Sequence, residues 1–198
     1  TYTAYNTLAE NLHVMFKSSA ENFADADFIV YQDERHSFAG LYQKAGEFAN
    51  ALVNEYQIGM GDRVTISMRN YPEWIIAFMA ITSIGAIAVP LNAWWRQDEF
   101  AQVIGHCDAK LALVDDKRFE LHSKTLAEHN TPVIVARASK EQTHVVTFES
   151  LLDKFADKEM PEVNVPSDSI ATIFYTSGST GAPKGAVSSH ESIITAIN

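Results

Sequence analysis

Cysteine is nearly absent from the chain, which has Cys107 alone among its 198 residues. An intrachain disulfide is therefore impossible, and a reducing compartment such as the cytoplasm fits the composition better than secretion does. The N-terminus lacks a basic segment followed by an apolar core, so it does not read as a signal peptide. An initial Met is also lacking and the sequence stops inside a helical pattern, so we expect a piece of a longer protein.

Positive charge is scarce as well. The chain has 15 Lys and Arg against 25 Asp and Glu, a net charge of −10, and its cations are scattered. This balance argues against nucleic acid or an anionic membrane as the main partner. A polyanion could still bind at a local site that is formed by backbone N–H groups and a single lysine. Self-association as a homodimer is left open.

A long uncharged run, residues 74–91, has the length of a membrane helix. Gly85 and Pro90 interrupt it, and Pro72 marks a helix start. We therefore predict a buried helix over residues 72–84 and a buried strand over residues 86–89, with no membrane span.

Short apolar strands alternate with amphipathic helices along most of the chain. Further strands are predicted at residues 63–68, 110–114 and 132–136. One predicted helical face carries six apolar residues: Leu41, Ala45, Phe48, Ala49, Leu52 and Val53. The pattern predicts an α/β fold, with parallel strands and helices on both faces of the sheet. Ligands of such sheets bind at the carboxyl ends of the strands.

The predicted organisation is an incomplete N-terminal domain over residues 1–198. Strand–helix layers occupy residues 1–152, and a charged, Pro-containing connector at 153–168 is expected to be solvated. A strand, a loop and a helical pattern from Ser189 occupy residues 169–198, with only a short apolar step, Ala186 and Val187, before the helix.

Several other side chains have ordinary interpretations. Asp115 and Asp116 are expected in a solvated turn, and Cys107 in the core. Trp94 and Trp95 are expected to pack at a layer edge, with an acyl path as the alternative. The seven histidines show no metal-ligand spacing, so no structural metal is expected.

The loop after the strand at residues 169–175 carries the strongest chemical signal. It combines hydroxyls, glycines and one cation: Thr176, Ser177, Gly178, Ser179, Thr180, Gly181, Pro183, Lys184 and Gly185. Glycines allow the backbone to approach a ligand closely, and successive N–H groups can bind an anion. Hydroxyls donate to phosphate oxygens, and Lys184 supplies a point charge. The composition predicts a triphosphate-binding loop.

Other phosphate and nucleophile motifs do not fit this loop. The fifth residue after Gly178 is Pro183, and Gly185 follows Lys184, so the Walker spacing fails. A hydrolase elbow would need glycine where Ser177 stands. No Gly-x-Gly-x-x-Gly spacing occurs.

Residues 175–185 (YTSGSTGAPKG) closely resemble the signature of the adenylate-forming superfamily. That superfamily includes acyl-CoA synthetases, adenylation domains of peptide synthetases and firefly luciferase. The resemblance extends upstream to residues 36–38, 61–64 and 84–92. His190 matches a common family histidine, although Glu191 replaces the usual Asn after it. Residues 90–95 look most like those of fatty-acyl-CoA ligases.

The resemblance implies activation of a small-molecule carboxylic acid, in the first place a fatty acid, by Mg²⁺-ATP. Acyl-AMP would form first, and coenzyme A would then take the acyl group. The family's phosphate contacts carry over to Thr176, Ser177, Gly178, Ser179, Thr180, Gly181, Lys184 and Gly185. The remaining catalytic parts would lie downstream, so no catalytic residue is assigned and the 198-residue piece is expected to be inactive. Another family branch, a non-catalytic nucleotide- or partner-binding module, and a kinase or ATPase remain alternatives.

Overall fold

The computed structural model describes residues 9–139, 144–176 and 183–197. Its helices are α1 (Leu12–Asn22), α2 (Phe38–Tyr56), α3 (Pro72–Ser83), α4 (Gln97–Cys107), α5 (Asp116–Glu128), α6 (Phe148–Lys154) and α7 (His190–Ala196). Its strands are β1 (Asp27–Tyr31), β2 (Glu34–Ser37), β3 (Arg63–Ser67), β4 (Ile87–Pro90), β5 (Leu111–Asp115), β6 (Val133–Ala136), β7 (Val146–Thr147), β8 (Ile170–Thr176) and β9 (Lys184–Ser189).

One sheet dominates the described residues, with the strand order β7-β6-β5-β3-β4-β8-β9. Every neighbouring pair in it is parallel except β8 with β9. Strands β1 and β2 form a separate antiparallel pair. The predicted α/β class with a mainly parallel sheet is confirmed.

Helices cover both faces of this sheet. On one face α2, α3 and α6 enclose a core in which the Phe48 and Phe148 rings lie 4.3 Å apart. On the other face α4 and α5 pack Phe100, Val103 and Leu126 against the alternate residues of β4, β5 and β6. A strand covered on both faces needs apolar residues at successive positions, which is why 111–114 reads as a continuous apolar run.

The chain reverses its winding direction between β3 and β5. From β3 it crosses to β4 on one side, and from β4 it returns past β3 to β5, after which β6 and β7 follow outward. The helices after β3 and β5 therefore leave toward opposite faces. A crevice at the carboxyl ends of two such strands is the usual ligand position in an open α/β sheet.

The uncharged run divides where its sequence predicts. Helix α3 ends at Ser83, Gly85 turns the chain with φ of 74°, and β4 follows. A Cβ at Gly85 would lie 3.0 Å from Met60 Cε, so both the turn and the packing favour glycine. No helix in the described ranges has the length and apolarity that crossing a bilayer requires.

The segment at residues 153–168 exposes its charged side chains, as a solvated connector would, but part of it also packs against the domain. Its first two residues finish α6, and the stretch that follows packs against α2. A Cβ at Gly46 would lie 2.8 Å from Met160 N, and Val165 is 1% exposed. The Asn11 Nδ2 atom donates to Val165 O at 2.9 Å. The charged side chains of the segment point outward while its backbone and apolar residues complete the core.

Strand β9 corrects the expectation of a mere apolar step before the last helix. Residues 184–189 pair with β8 along its length, and α7 begins only at His190. Ser189 caps α7 by accepting from Ser192 N. The pairing was hidden because β9 is mostly exposed and lacks an apolar run.

Candidate functional site

An open cavity of about 820 Å³ lies at the carboxyl ends of β3, β4 and β8. Residues 68–71 form one part of its lining, residues 90–94 a second and residues 174–175 a third. Tyr31, Trp74 and Lys117 complete it. The cavity thus occupies the edge of the sheet at which the parallel arrangement predicts a ligand.

The last residue of β8 and the first of β9 meet directly beside this cavity. Thr176 is the register partner of Lys184, and Tyr175 is the partner of Gly185. The predicted phosphate-binding segment therefore begins at the last residue of β8 and ends at the second residue of β9. Three of its predicted residues are brought together here: Thr176, Lys184 and Gly185. Five others lie outside the described residues: Ser177, Gly178, Ser179, Thr180 and Gly181.

The open end of this strand pair, formed by Thr176 and Lys184 and called the mouth of β8–β9 below, suits an anion. The Thr176 and Lys184 side chains are both exposed, and neither has an ion pair or side-chain hydrogen bond to any residue that the structure describes. A hydroxyl and an ammonium held opposite each other by backbone pairing can donate to neighbouring phosphate oxygens.

Gly185 has a packing role that the sequence did not reveal. A Cβ at this position would lie 2.8 Å from Ile173 Cγ2 and 3.4 Å from Tyr175 Cζ, both side chains of β8. Glycine therefore lets β9 approach β8 under those two side chains. This packing role is independent of any contact that Gly185 makes with phosphate.

Tyr175 anchors the start of the loop to the neighbouring helix. Its hydroxyl lies 2.7 Å from His106 Nδ1 on α4, and the two rings meet edge to face at 5.7 Å. Burial raises the pKa of the Tyr175 phenol, so it stays protonated. No local pattern predicts this contact, because the two residues lie 69 positions apart.

Asp115 is not in a solvated turn, which corrects the expectation for this residue. It is 3% exposed and its carboxylate accepts from Arg69 N at 3.0 Å and from Arg118 N at 2.9 Å. The Arg118 Nη1 atom lies 3.2 Å from Asp115 Oδ2. Asp115 therefore caps α5 and binds a buried guanidinium at the same time.

Arg118 also holds the loop that follows β4. Its Nε and Nη2 atoms both donate to Ala93 O, at 2.9 and 2.7 Å. The next residue, Trp94, is 73% exposed and lies 5.0 Å from the Arg69 guanidinium and 5.7 Å from that of Arg118. The expected edge packing holds for Trp95, which contacts the core beside α4, but not for Trp94.

Arg137 closes the rim of the cavity on the side of β1 and β2. Its guanidinium pairs with Glu34 at 2.9 Å and with Glu73 at 3.0 Å. It also lies within 5.0 Å of the ring centroids of Tyr31 and Tyr71. The hydrogen bond from Arg137 lowers the pKa of Glu34, which stays ionised. The strand pair β1–β2 is thereby fastened to the end of the sheet.

His190, the residue that matches the family histidine, is buried and structural. Its Nδ1 accepts from Leu12 N at 3.2 Å, and burial lowers its pKa to about 4. The neutral imidazole therefore satisfies an N–H at the start of α1, which has no partner within its own helix. Cys107 lies in the core as predicted, and burial raises the pKa of its thiol to about 11.

The described residues contain no group of three or more His, Cys, Asp or Glu side chains that could hold a metal ion. An open cavity at the carboxyl edge of a doubly wound, mainly parallel sheet defines the class of the chain as an α/β domain. The chain belongs to the family of AMP-binding enzymes, whose sequence profile matches residues 16–198. The resemblance to adenylate-forming enzymes is thus confirmed.

Individual relatives are identical to this chain at about a quarter of the aligned residues. 4-Hydroxybutyrate–CoA ligase 2 of Metallosphaera sedula is 27% identical over 89% of this chain and 34% of its own length. A linear gramicidin synthase of Brevibacillus parabrevis is 28% identical over 92% of this chain and 2% of its own. The crystal structure of coronafacic acid ligase from Pectobacterium brasiliense superimposes with a TM-score of 0.79 and 26% identity. It covers 91% of this chain, which spans 35% of that ligase.

Proposed function

We propose that the full-length protein is an ATP-dependent, AMP-forming ligase that joins a carboxylic acid to coenzyme A. The observation that carries this proposal is the pairing of Thr176 with Lys184 at the mouth of an exposed strand pair, within a segment that has the family signature. The parallel sheet brings this mouth next to a cavity large enough for a small molecule.

In this proposal the loop binds the β- and γ-phosphates of ATP. The contacts come from Thr176, Ser177, Gly178, Ser179, Thr180, Gly181, Lys184 and Gly185. Lys184 offsets part of the phosphate charge, and the hydroxyls and N–H groups fix its orientation, which is most of what phosphoryl and adenylyl transfer require of a protein. Mg²⁺ would arrive with the nucleotide, because it binds mainly through substrate phosphates and water.

The acid substrate is proposed to be a fatty acid. Two observations support an apolar substrate: residues 90–95 resemble fatty-acyl-CoA ligases, and Leu91 and Phe174 contribute apolar surface to the cavity. The acids named for the relatives are varied, so the chain length stays a matter for experiment. We further propose that the protein works in the cytoplasm, and that the 198-residue piece does not complete the reaction alone, since it spans about a third of the ligase relatives.

A second candidate is an adenylation domain of a peptide synthetase, which the similarity to linear gramicidin synthase favours. The two functions differ in the thiol that takes the acyl group. Free coenzyme A would accept it in a ligase, whereas a carrier domain's phosphopantetheine would accept it in a synthetase.

ATP–pyrophosphate exchange by the full-length protein tests the proposal. A panel of fatty, hydroxy, aryl and amino acids should include one that supports exchange, and coenzyme A should then release AMP and a thioester. Release of ADP, or ATP binding without exchange on any acid, would refute it in favour of a kinase or a binding module. Exchange by the 198-residue chain alone would refute the proposed inactivity of that piece.

A further inference from the structure

The crevice between β3 and β5, where a doubly wound sheet commonly binds its ligand, is filled by protein groups in this molecule. The Asp115 carboxylate at the end of β5 accepts from the backbone N–H of Arg69, two residues after β3, at 3.0 Å. The cavity lies instead over the ends of β3, β4 and β8. Asp115 therefore joins the two loops that would otherwise flank the crevice.

Arg118 extends this connection to a third loop. Its side chain is 6% exposed and that of Asp115 4%, so water does not compete for their bonds. Two of its nitrogens donate to the single carbonyl of Ala93, which fixes both the position and the orientation of that peptide. Asp115 and Arg118 together tie the chain ends that leave β3, β4 and β5.

A gain in folding stability alone does not explain why Asp115 and Arg118 form a buried ion pair. The cost of removing two charges from water can equal their mutual attraction, and an apolar replacement is often as stable. An apolar side chain cannot make the two hydrogen bonds that Arg118 donates to Ala93 O. These bonds fix the backbone just before Trp94, which lines the cavity and has 73% of its surface exposed.

Trp94 presents an aromatic surface next to positive charge. The Arg69 and Arg118 guanidinium carbons lie 5.0 and 5.7 Å from its ring, and Lys117 lines the same cavity. Asp115 neutralises Arg118, but Arg69 and Lys117 still place two cations beside the ring, in a chain whose net charge is −10. An exposed flat ring beside cations suits an anionic ligand that carries a planar base. ATP and coenzyme A, the two nucleotides of the proposed reaction, share that chemistry.

We propose that Asp115 and Arg118 are positioning residues that hold Trp94 as a wall for the nucleotide moiety of a substrate. This inference rests on the proposed function. Arg118 acts through the Ala93 peptide and Trp94, while Trp94 itself contacts the ligand.

The test uses four variants of the full-length protein: W94A, R118M, the double variant W94A/R118M, and E128Q as the control. Glu128 is in an exposed ion pair with Lys124 at 3.8 Å and lies at the end of α5 opposite to Arg118. KM and kcat are measured for ATP in pyrophosphate exchange and for coenzyme A in thioester synthesis, so that the two assays separate the two nucleotides.

W94A and R118M are expected to raise the same KM, either for ATP or for coenzyme A, by about tenfold with kcat changed less than about twofold. The double variant should be no worse than W94A, because residues that act in series are not additive. E128Q should match the wild type. Unchanged KM values in R118M, or a double variant whose KM rise is the product of the two single effects, would overturn the proposal.

R118K guards against a folding defect in R118M. Lysine keeps the positive charge but cannot place two N–H donors on Ala93 O as the planar guanidinium does, so R118K should reproduce the KM change. A second readout needs no activity: the fluorescence anisotropy of Trp94, from the polarised intensities of each protein minus those of its W94F version, should decrease in R118K because the ring is held less firmly. Unaltered anisotropy refutes the positioning role even if the wild type fails in exchange, an outcome that would refute the proposed function separately.

Discussion

The loops after β3, β4 and β5 and the mouth of β8–β9 lie at the same edge of one sheet, yet they are built in opposite ways. In the first region Asp115 and Arg118 are buried and use their polar groups on other parts of the chain. In the second, Thr176 and Lys184 are exposed and have no side-chain partner among the described residues. The first region commits its polar groups to internal geometry, whereas the second leaves them available for a ligand.

This contrast separates two kinds of contribution to a site. Changes in the buried region should alter stability and the shape of the cavity wall. Changes at the exposed mouth should alter activity and leave stability almost unchanged, because surface side chains contribute little to folding.

The largest effect is expected for Asp115→Ala. Removing the carboxylate leaves the Arg118 guanidinium buried without its counter-ion and the Arg69 N–H without its acceptor, which should cost about 3–5 kcal/mol. Native-state hydrogen exchange of β3 and β5 amides in the full-length protein measures it. E128Q, which breaks an exposed pair on the same helix, should cost less than about 1 kcal/mol. Equal effects of the two changes would show that the buried ion pair of Asp115 contributes no more to stability than an exposed one.

Lys184→Met should produce the complementary result. The loss of one cation that offsets phosphate charge should lower kcat/KM for ATP in pyrophosphate exchange by about a hundredfold, with no measurable shift in thermal unfolding. Lys124→Met, at another exposed lysine, serves as the control and should retain full activity. Wild-type exchange in Lys184→Met would contradict the assignment of the mouth as the phosphate site.

His190 sharpens the contrast through pH. Its pKa is about 4 in the folded protein against an ordinary value of 6.5, so the unfolded chain binds more protons between these values. The stabilisation is complete above about pH 6.5 and is lost as the pH falls toward 4, by about 2 kcal/mol between pH 7 and pH 5.

The Leu12 amide, which donates to His190 Nδ1, reports this loss. Its protection factor, corrected for the intrinsic exchange rate, should fall by about 20-fold between pH 7 and pH 5. His190→Gln keeps an acceptor but cannot titrate, and its protection factor should not depend on pH in this range. A flat profile in the wild type would show that the imidazole is not held neutral.

The smallest effect is expected for Gly185→Ala. The new Cβ would lie 2.8 Å from Ile173 Cγ2, so β9 must shift. This shift should lower the free energy of unfolding by about 1 kcal/mol. Gly59→Ala, where nothing lies within 4 Å, is the matched control and should be close to neutral. Ile173→Ala removes the opposing methyl group and should relieve most of the cost in the double variant. Additive effects would indicate that contact with Ile173 is not the reason for glycine.

The sequence predicted those parts of the fold that local pattern controls. Helix α3 and strand β4 follow from an apolar run interrupted at Gly85, and β5 follows from its uninterrupted apolar residues. Strand β9 was missed because its exposed residues show no alternation, and only pairing with β8 makes it a strand.

The candidate site likewise has residues that local pattern predicts and residues that only distant contacts explain. Residue chemistry and motif spacing predict Thr176 and Lys184 as phosphate contacts, but nothing local in the sequence predicts that the two residues pair across β8 and β9. Asp115 was assigned wrongly, because two consecutive acidic residues at a strand end are typical of a turn. The contacts that bury it come from Arg69 and from the Arg118–Ala93 connection, which span 46 and 25 positions. Such contacts leave no local signature.

The docking of α1 has a consequence for biosynthesis. Its first N–H is satisfied by His190, 178 residues later, and Leu12 packs against Ala171 and Ile194. At about 5–20 residues per second, a ribosome needs roughly 10–40 s to supply those partners after α1 has been made. During that interval α1 can contact α2 and α3, including Phe78, but Leu12 lacks Ala171 and Ile194. The packing of α1 in a nascent chain should therefore stay incomplete until α7 has emerged.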